Sequence, residues 1–327
     1  MGFTIAAYDQ TYLEGVIAVY NAETACEPHI APLTSNRFLE LVAAKSYFDP
    51  AGLLIAVARG EVVGWVHACA AAGTEPWHDQ AKLVAAIRVL ICPKDRLDIA
   101  HALVADATGW LRGKAGDELE AGSCRSGYPF YRGLWMGGEP MTPATMPHVH
   151  VALEVGGYKL NAQSIFMVAE MLSPPAEARP ALAVELVESP AEMKHETMRE
   201  SWIGFQPMRI RALRGGEEVG GIGWALLPHV SDRLGAPCAN IWALGVKEEH
   251  RRKGIASLLV SRALGRGYGL GARFGSVATQ LWNAPAQVTY SKFRFAPYCL
   301  LAERVLKRDQ EADSREEAAE RRSDADG

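Results

Sequence analysis

The sequence lacks the features that mark secreted, redox-active or membrane proteins. Its six cysteines are scattered through 327 residues without a Cys-x-x-Cys pair, which predicts reduced, mostly buried thiols. The N-terminus has no basic region before an apolar core, so no signal peptide is expected. No apolar run reaches the roughly 20 residues that a membrane-spanning helix needs. We therefore expect a cytoplasmic protein with no membrane partner.

An excess of positive charge is also missing. The chain has 34 lysines and arginines against 38 aspartates and glutamates, a net charge of −4, which argues against nucleic acid as a partner. Hydrophobic residues make up 49% and charged residues 22%, as in a globular protein with a sizeable core, and the length suits two domains. The pair His148 and His150 has no apparent third ligand, so no metal site is predicted.

One stretch has the character of a phosphate site. Residues 240–246 form an apolar run that predicts a buried strand, and a helical spacing of apolar residues begins at Ile255. Between them lies the basic loop Arg251-Arg252-Lys253-Gly254. A helix start presents free N–H groups and a positive dipole, and a glycine admits an anion. Walker and Rossmann glycine patterns are both missing. The alternative is an ordinary turn with a solvated charge run.

Two motifs in this region resemble those of the GNAT N-acetyltransferases. The pattern Arg251-x-x-Gly254-x-Ala256 resembles that family's acetyl-CoA signature, Arg/Gln-x-x-Gly-x-Gly/Ala. The pattern Asn283-x-x-Ala286-x-x-x-Tyr290, followed by Phe293-Arg294-Phe295, resembles the family's next strand and helix. The resemblance covers residues 180–306 well and residues 1–172 weakly. It implies an acyltransferase that uses acetyl-CoA as acyl donor.

A repeat indicates that the first half is a second copy of the same fold. Residues 59–65 (RGEVVGW) are similar to residues 216–224 (GEEVGGIGW), and Ile99-Ala100 and Gly157-Tyr158 have counterparts in Ile255-Ala256 and Arg294-Phe295. The resemblance thus implies an α/β (α+β) protein with two tandem GNAT folds, each a mixed, mostly antiparallel sheet flanked by helices. This plan is similar to that of the mycothiol synthases.

The predicted domains follow from the repeat. They are a degenerate GNAT-like domain (1–172), a proline-rich linker (173–182), a GNAT acetyltransferase domain (183–306) and a charged, disordered tail (307–327). In the first copy Asp98 replaces Gly254 and Leu153 replaces Tyr290. Because a carboxylate at a helix start would repel a pyrophosphate, the first copy is not expected to bind acetyl-CoA, and we expect it to complete the acceptor cleft.

The remaining pattern gives a coarse secondary structure. Helices are predicted within 8–48 and at 99–111, 149–158 and 190–205, and strands at 53–57, 62–68, 85–91, 183–187 and within 208–229. Only one helix is predicted after the linker, so the second half has few residues with which to build an acceptor lobe. The glycines at 220, 221 and 223 lie inside a strand pattern, which predicts a bulge or close backbone packing and not a nucleotide loop.

The resemblance also implies the site residues. The implied cofactor-binding residues are Leu244, Gly245, Val246, Arg251, Arg252, Lys253, Gly254, Ile255, Ala256, Ser257, Asn283 and Tyr290. The backbone N–H of Leu244 or a neighbour would face the acetyl oxygen, and Tyr290 would protonate the departing thiolate. A packing role for Tyr290 and a capping role for Asn283 are the alternatives. Either the amine arrives already neutral, or a general base acts on it through water, and Glu217, His229 and a residue of the first copy are the candidates.

The expected function is acetyl-CoA-dependent transfer of an acetyl group to a primary amine of a small molecule or peptide, with catalysis in the C-terminal domain. The partners implied are acetyl-CoA and the amine acceptor, and the chain is expected to be a monomer or homodimer. Two alternatives stay open. The protein could be a catalytically silent CoA-binding sensor or interaction module, or a structural pair of domains that does not bind CoA.

Overall fold

Twelve strands form one mixed sheet, and the two halves of the chain contribute six strands each. The computed structural model describes residues 2–72, 83–114, 118–122, 130–135, 137–138, 140 and 142–307. The predicted disordered tail, apart from Lys307, lies outside the described residues. The fold class expected from the sequence is confirmed, since the sheet is mostly antiparallel and is flanked by helices.

The order of elements in the first half recurs in the second, apart from one four-residue helix in each half. The first half contains β1 (Thr4–Ala7), α1 (Leu13–Glu23), α2 (Ser35–Phe38), β2 (Leu53–Ala58), β3 (Glu61–Ala72), β4 (Leu83–Ile91), α3 (Leu97–Arg112), β5 (Glu118–Ala121), α4 (Pro147–Val155) and β6 (Lys159–Glu170). The second half contains β7 (Glu185–Pro190), α5 (Glu196–Ser201), β8 (Met208–Arg214), β9 (Glu217–Leu227), α6 (Ser231–Leu234), β10 (Cys238–Val246), α7 (Ile255–Gly269), β11 (Phe274–Gln280), α8 (Ala284–Ser291) and β12 (Ala296–Lys307). Short 3-10 turns occur at Gln10–Tyr12, Pro50–Gly52 and Glu248–His250, and a π-helical turn at Leu39–Ala43.

The last strand of each half lies beside the other half. The sheet order is β1-β2-β3-β4-β5-β12-β6-β11-β10-β9-β8-β7. Strand β12 pairs with β5 of the first half, with Arg304 opposite Ala121, and β6 pairs with β11 of the second half, with Met167 opposite Val277. The two exchanged strands also pair with each other. Each half of the chain therefore completes its part of the sheet with a strand from the other half.

Two predicted helices are shorter in the structure. The segment 190–205 is helical only over α5, because the His195 side chain accepts a hydrogen bond from the Met198 N–H and caps the helix start. The region 8–48 is divided into α1 and the pair formed by α2 and the π-helical turn. Pro28 and Pro32 stand in the intervening segment, where a proline disfavours a continuous helix.

Helix α7 forms the core of the second half. Its residues Ile255, Leu259 and Ala263 are buried at the spacing predicted from the sequence, and they belong to one apolar cluster with Ile222 of β9 and Ile241 of β10. Burial of a side chain such as leucine or isoleucine stabilises a fold by about 1.5–3 kcal/mol. This packing fixes the start of α7 close to the end of β10.

Candidate active site

Strands β10 and β11 separate after Asn240, within β10. They pair in parallel only from Cys238 opposite Phe274 to Asn240 opposite Ser276. The ladder between β10 and β9 is interrupted after Trp242 and resumes at Gly245. A bulge of this kind re-aims a strand and leaves residues outside the ladder.

The second half of β10 is therefore open. Ala243 in the bulge has a φ of 49°, in the left-handed region, and both Ala243 and Gly245 are exposed. The prediction of a buried strand over residues 240–246 is correct for Asn240 and Ile241 and wrong for these two positions, and the strand begins earlier, at Cys238. The structure thus places the Leu244 backbone outside the ladder with β9, beside the gap that faces β11. A role for the Leu244 N–H at an acetyl oxygen stays a prediction.

The basic loop after β10 reverses the chain into α7. Arg252 and Gly254 have φ values of 58° and 84°, and the helix begins at Ile255 as the sequence predicts. The Arg251 Nε donates to the Val246 carbonyl at 3.1 Å, and the Lys253 Nζ donates to the Glu249 carbonyl at 2.8 Å. These two cations brace the loop. The first N–H groups of α7, including those of Ala256 and Ser257, have no carbonyl acceptor within the helix.

The connector between the halves lies against this turn. A Cβ placed on Gly254 would come within 3.0 Å of the Pro180 Cα. The Ala181 N–H also donates to the Lys253 carbonyl at 2.9 Å. Close approach of an anion is therefore not the only reason for a glycine here. Its left-handed φ and the adjoining connector both require the missing side chain.

Asn283 directly precedes α8, and Tyr290 lies in the last turn of this helix. Tyr290 is only 5% exposed, with the Phe295 ring centroid at 5.8 Å, and burial raises the pKa of its phenol to about 12. It therefore keeps its proton at neutral pH. The Asn283 side chain accepts from the Ala286 N–H at 3.3 Å and donates to the Thr279 Oγ1 at 3.2 Å. The capping role considered from the sequence is confirmed for Asn283.

Side chains of both halves form a stack that leads to the bulge. The Arg132 guanidinium lies over the Trp202 ring, and Trp202 stacks on Trp242 with centroids 5.0 Å apart. Trp242 covers Gly223, because a Cβ there would lie 2.5 Å from the Trp242 Nε1. The predicted close packing at this glycine is confirmed. The Arg132 Nε also donates to the Ser201 carbonyl at 2.8 Å, which ties α5 to the first half.

The first half also contacts α5 at a second place. The Lys45 Nζ donates to the Glu200 carbonyl, and the Ser46 N–H donates to the Glu200 Oε2 at 2.7 Å. Burial lowers the pKa of Lys45 to about 8, and the neighbouring Arg132 acts in the same direction. The short helix of the second half is thus backed by the first half.

A groove lies over β9 and β10 next to the bulge. It has a volume of about 640 Å³ and is lined by Gly220, Gly221, Ala243, Gly245, Val246, Arg209, Glu217, Glu218 and Lys247. Arg209 and Glu218 form an ion pair of 2.7 Å within it. Because it reaches the bulge, a molecule bound there has access to the backbone around Leu244.

Neither named candidate for the general base lies at the bulge. His229 follows Leu227, which pairs with Cys238 at the start of β10. Burial, together with the charge of Arg37, lowers the pKa of His229 to about 4. Glu217 precedes Gly220, which pairs with Val246 at the other end of β10. Asn240, near the start of the strand, is buried and donates to the Ser276 Oγ at 3.1 Å.

The corresponding helix start in the first half is different. The Asp98 carboxylate accepts two hydrogen bonds of 2.8 Å from the Arg96 guanidinium, and these bonds lower the pKa of Asp98 to about 2. Strand β4 is buried from Ala85 to Ile91, unlike the open end of β10. Cys92, directly after β4, is also buried, and its backbone forms a hydrogen bond with the His148 side chain. Leu153, at the position of Tyr290, is buried as well.

Several features of the site have no signal in the sequence. Alanine carries no preference for the left-handed φ of Ala243, and Arg132 is far from Trp202 along the chain. Pro180 lies in the predicted linker, and the sequence gives no sign of its contact with Gly254. Among the described residues no group of three or more metal-ligating side chains occurs, and no helix is long and apolar enough to cross a membrane.

Comparison with known proteins agrees with this geometry. Residues 174–295 match the family model described as the acetyltransferase (GNAT) family. No curated protein matches the chain. Among solved structures, a GCN5-related N-acetyltransferase from Sphaerobacter thermophilus is 13% identical with a TM-score of 0.61, over 93% of this chain and 95% of that one.

Two further solved structures extend the likeness. A tandem GNAT protein from the clavulanic acid biosynthesis pathway is 15% identical with a TM-score of 0.60, over 94% of this chain and 99% of that one. A glucosamine N-acetyltransferase region of a fungal multi-domain β-N-acetylglucosaminidase is 13% identical with a TM-score of 0.65, over 93% of this chain and 38% of that one. The chain thus has a tandem GNAT fold. The part of the chain that matches the acetyltransferase (GNAT) family model lies almost entirely in its second half.

Proposed function

We propose that the second half binds acetyl-CoA and transfers its acetyl group to a primary amine of a small molecule or peptide. The observation that carries this proposal is the open end of β10, which leads into a positively charged helix start, while the buried, protonated Tyr290 belongs to the same apolar cluster as Ile241 of β10 and Ile255 of α7. The family match over residues 174–295 supports the same assignment. Acetyl-CoA would supply the thioester that the amine attacks.

The residues of the second half suit the separate tasks of this reaction. The N–H groups at the start of α7, with Arg251, Arg252 and Lys253 around them, would hold a diphosphate. The backbone edge Leu244–Val246 would hydrogen-bond the pantetheine arm. The Leu244 N–H would stabilise the developing oxyanion, a contribution of about 3 kcal/mol for one well-placed donor. As the new C–N bond forms and the C–S bond breaks, Tyr290 would give its proton to the departing sulfur, and the proton that the amine nitrogen loses would pass through water and restore the phenol.

The acceptor would approach through the groove beside the bulge. Its volume of about 640 Å³ lies within the range of small-molecule sites. The Glu217 carboxylate lines this groove and would attract a protonated amine, whereas Glu218 is neutralised by Arg209. The stack of Arg132, Trp202 and Trp242 would form a wall contributed by both halves. In this proposal the first half shapes the acceptor site, and its closed β4 and the Asp98 carboxylate exclude a second acetyl-CoA.

Release of free thiol from acetyl-CoA, measured against a panel of amines, tests this function. The panel should include glucosamine, because one structural neighbour is a glucosamine N-acetyltransferase region, together with amino acids and a short peptide. Calorimetry should show one acetyl-CoA bound per chain. Binding without thiol release for any acceptor would favour a sensor, and the absence of binding would favour a structural role.

A further inference from the structure

The connector between the halves, residues 171–184, is held along α7. The Ala178 N–H donates to the Ser261 Oγ at 3.1 Å, and the Ala181 N–H donates to the Lys253 carbonyl at 2.9 Å. Glu177 forms an ion pair of 2.5 Å with Arg262. These contacts fix the connector from the loop that precedes α7 to the second turn of that helix.

A groove of about 690 Å³ lies between this connector and α7. We call it the connector groove, and its lining consists of Glu177, Ala178, Arg179, Pro180, Leu182, Ala183, Val184, Leu186, Leu258 and Arg262. Most of these side chains are apolar. A flat ring suits such a surface, and an arginine without an ion-pair partner suits an anionic group.

Arg179 is the cation in this groove that is available to a ligand. It is exposed, and within the part of the chain that the structure describes it has no ion-pair partner. Arg262, by contrast, already neutralises the Glu177 carboxylate. An anion entering the connector groove would therefore meet Arg179 as an unneutralised positive charge.

The connector groove begins at Gly254, in the loop that precedes α7. Pro180 lines the groove and also lies against Gly254, the residue that precedes α7. In coenzyme A a single ribose joins the diphosphate to the adenine and carries the 3′-phosphate. A diphosphate held at the start of α7 therefore brings that ribose to the edge of the groove.

We propose that the connector groove binds the 3′-phosphorylated adenosine of the acyl carrier, with Arg179 contacting the 3′-phosphate. This inference rests on the proposed function. It assigns the inter-half connector a part in cofactor recognition, and it makes Arg179 a residue that distinguishes coenzyme A from its 3′-dephospho form.

The test compares acetyl-CoA with acetyl-3′-dephospho-CoA in the full chain. Arg179→Ala should weaken binding of acetyl-CoA by about 10-fold, the usual scale of one charge-assisted hydrogen bond, and leave the dephospho form unchanged. Arg59→Ala, at the exposed turn between β2 and β3, is the control and should affect neither. Equal losses for both carriers, or no loss for either, would overturn the role of Arg179.

A second variant tests the groove itself. Ala183 is exposed in the connector, so Ala183→Trp should fill the groove without disturbing the core and should weaken both carriers while the melting temperature stays unchanged. Unchanged affinity for both carriers would refute adenosine binding there. If the unmodified protein bound neither carrier, the proposed function would fail as well. If it bound both equally and still released thiol, only the present inference would fail.

Discussion

The guanidinium carbon of Arg132 lies 3.7 Å from the ring centroid of Trp202. The arginine belongs to the first half of the chain and the tryptophan to the second. Trp202 in turn stacks on Trp242, which directly precedes the left-handed residue Ala243 of the β10 bulge. A continuous stack of side chains therefore connects the first half to the backbone that we assign to acetyl transfer.

Arg132→Ala should impair use of the acceptor and spare the donor. Loss of a desolvated cation–π contact of up to about 2 kcal/mol would raise the KM for the amine by roughly 10-fold, while the Kd for acetyl-CoA stays unchanged. Steady-state kinetics and calorimetry measure the two effects. Lys114→Ala is the control, because it removes a longer and more exposed cation–π contact away from the site, with the Nζ 5.2 Å from the Trp110 centroid. An equal change in donor affinity would argue against an acceptor wall.

Tyr290→Phe should lower kcat by about 100-fold or more, the usual contribution of a general acid, with little change in acetyl-CoA affinity. Tyr268→Phe, on the same half but near the end of α7, is the matched control. Retention of full turnover in Tyr290→Phe would leave this residue only a packing role.

The pH profile tests the same assignment independently. Burial raises the pKa of Tyr290 to about 12, so the protonated, active form persists at all pH values below that pKa. The rate should therefore show no decline attributable to this group as the pH rises from 7 to roughly 10. A basic limb near pH 9 that vanishes in Tyr290→Phe would contradict the raised pKa. The measurement is kcat at saturating acceptor.

The sequence contains the local part of this site. The helix start at Ile255 follows from apolar spacing, and the motif around Tyr290 follows from a family pattern in residues close along the chain. Because these features depend on residues that are close along the chain, they can be recognised in the sequence. The repeat likewise predicts that the order of elements in the first half recurs in the second.

The exchange of β6 and β12 could not be predicted in the same way. Both strands have apolar faces that suit either half, so the pattern does not choose a partner. The contact between Arg132 and Trp202 and the packing of Pro180 on Gly254 depend on the completed fold. The candidate site residues are thus visible as motifs in the sequence, whereas the contacts that connect the two halves are not.

Gly254→Ala should reduce both stability and acetyl-CoA affinity. A left-handed φ of 84° costs a non-glycine residue about 1 kcal/mol or more, and the new Cβ would press on Pro180. Gly235→Ala separates the two causes, because Gly235 has a φ of 75° with nothing within 4 Å of its Cβ position. Thermal melts should show a loss for both variants. Only Gly254→Ala should also weaken acetyl-CoA in calorimetry, and equal affinity in the two variants would contradict a special role for the connector contact.

Removal of β12 should unfold the first half as well as the second. A chain ending at Phe295 lacks the strand that pairs with both β5 and β6, including the buried residues Leu301, Val305 and Leu306. A chain ending at Lys307 retains every one of these pairs and is the control. Hydrogen exchange should show reduced protection at the amides of β5 in the shorter chain, because β5 keeps β4 but loses β12, one of its two partner strands. Full protection of β5 there would show that the first half completes its sheet alone, and the exchanged strands would then have no part in joining the two halves.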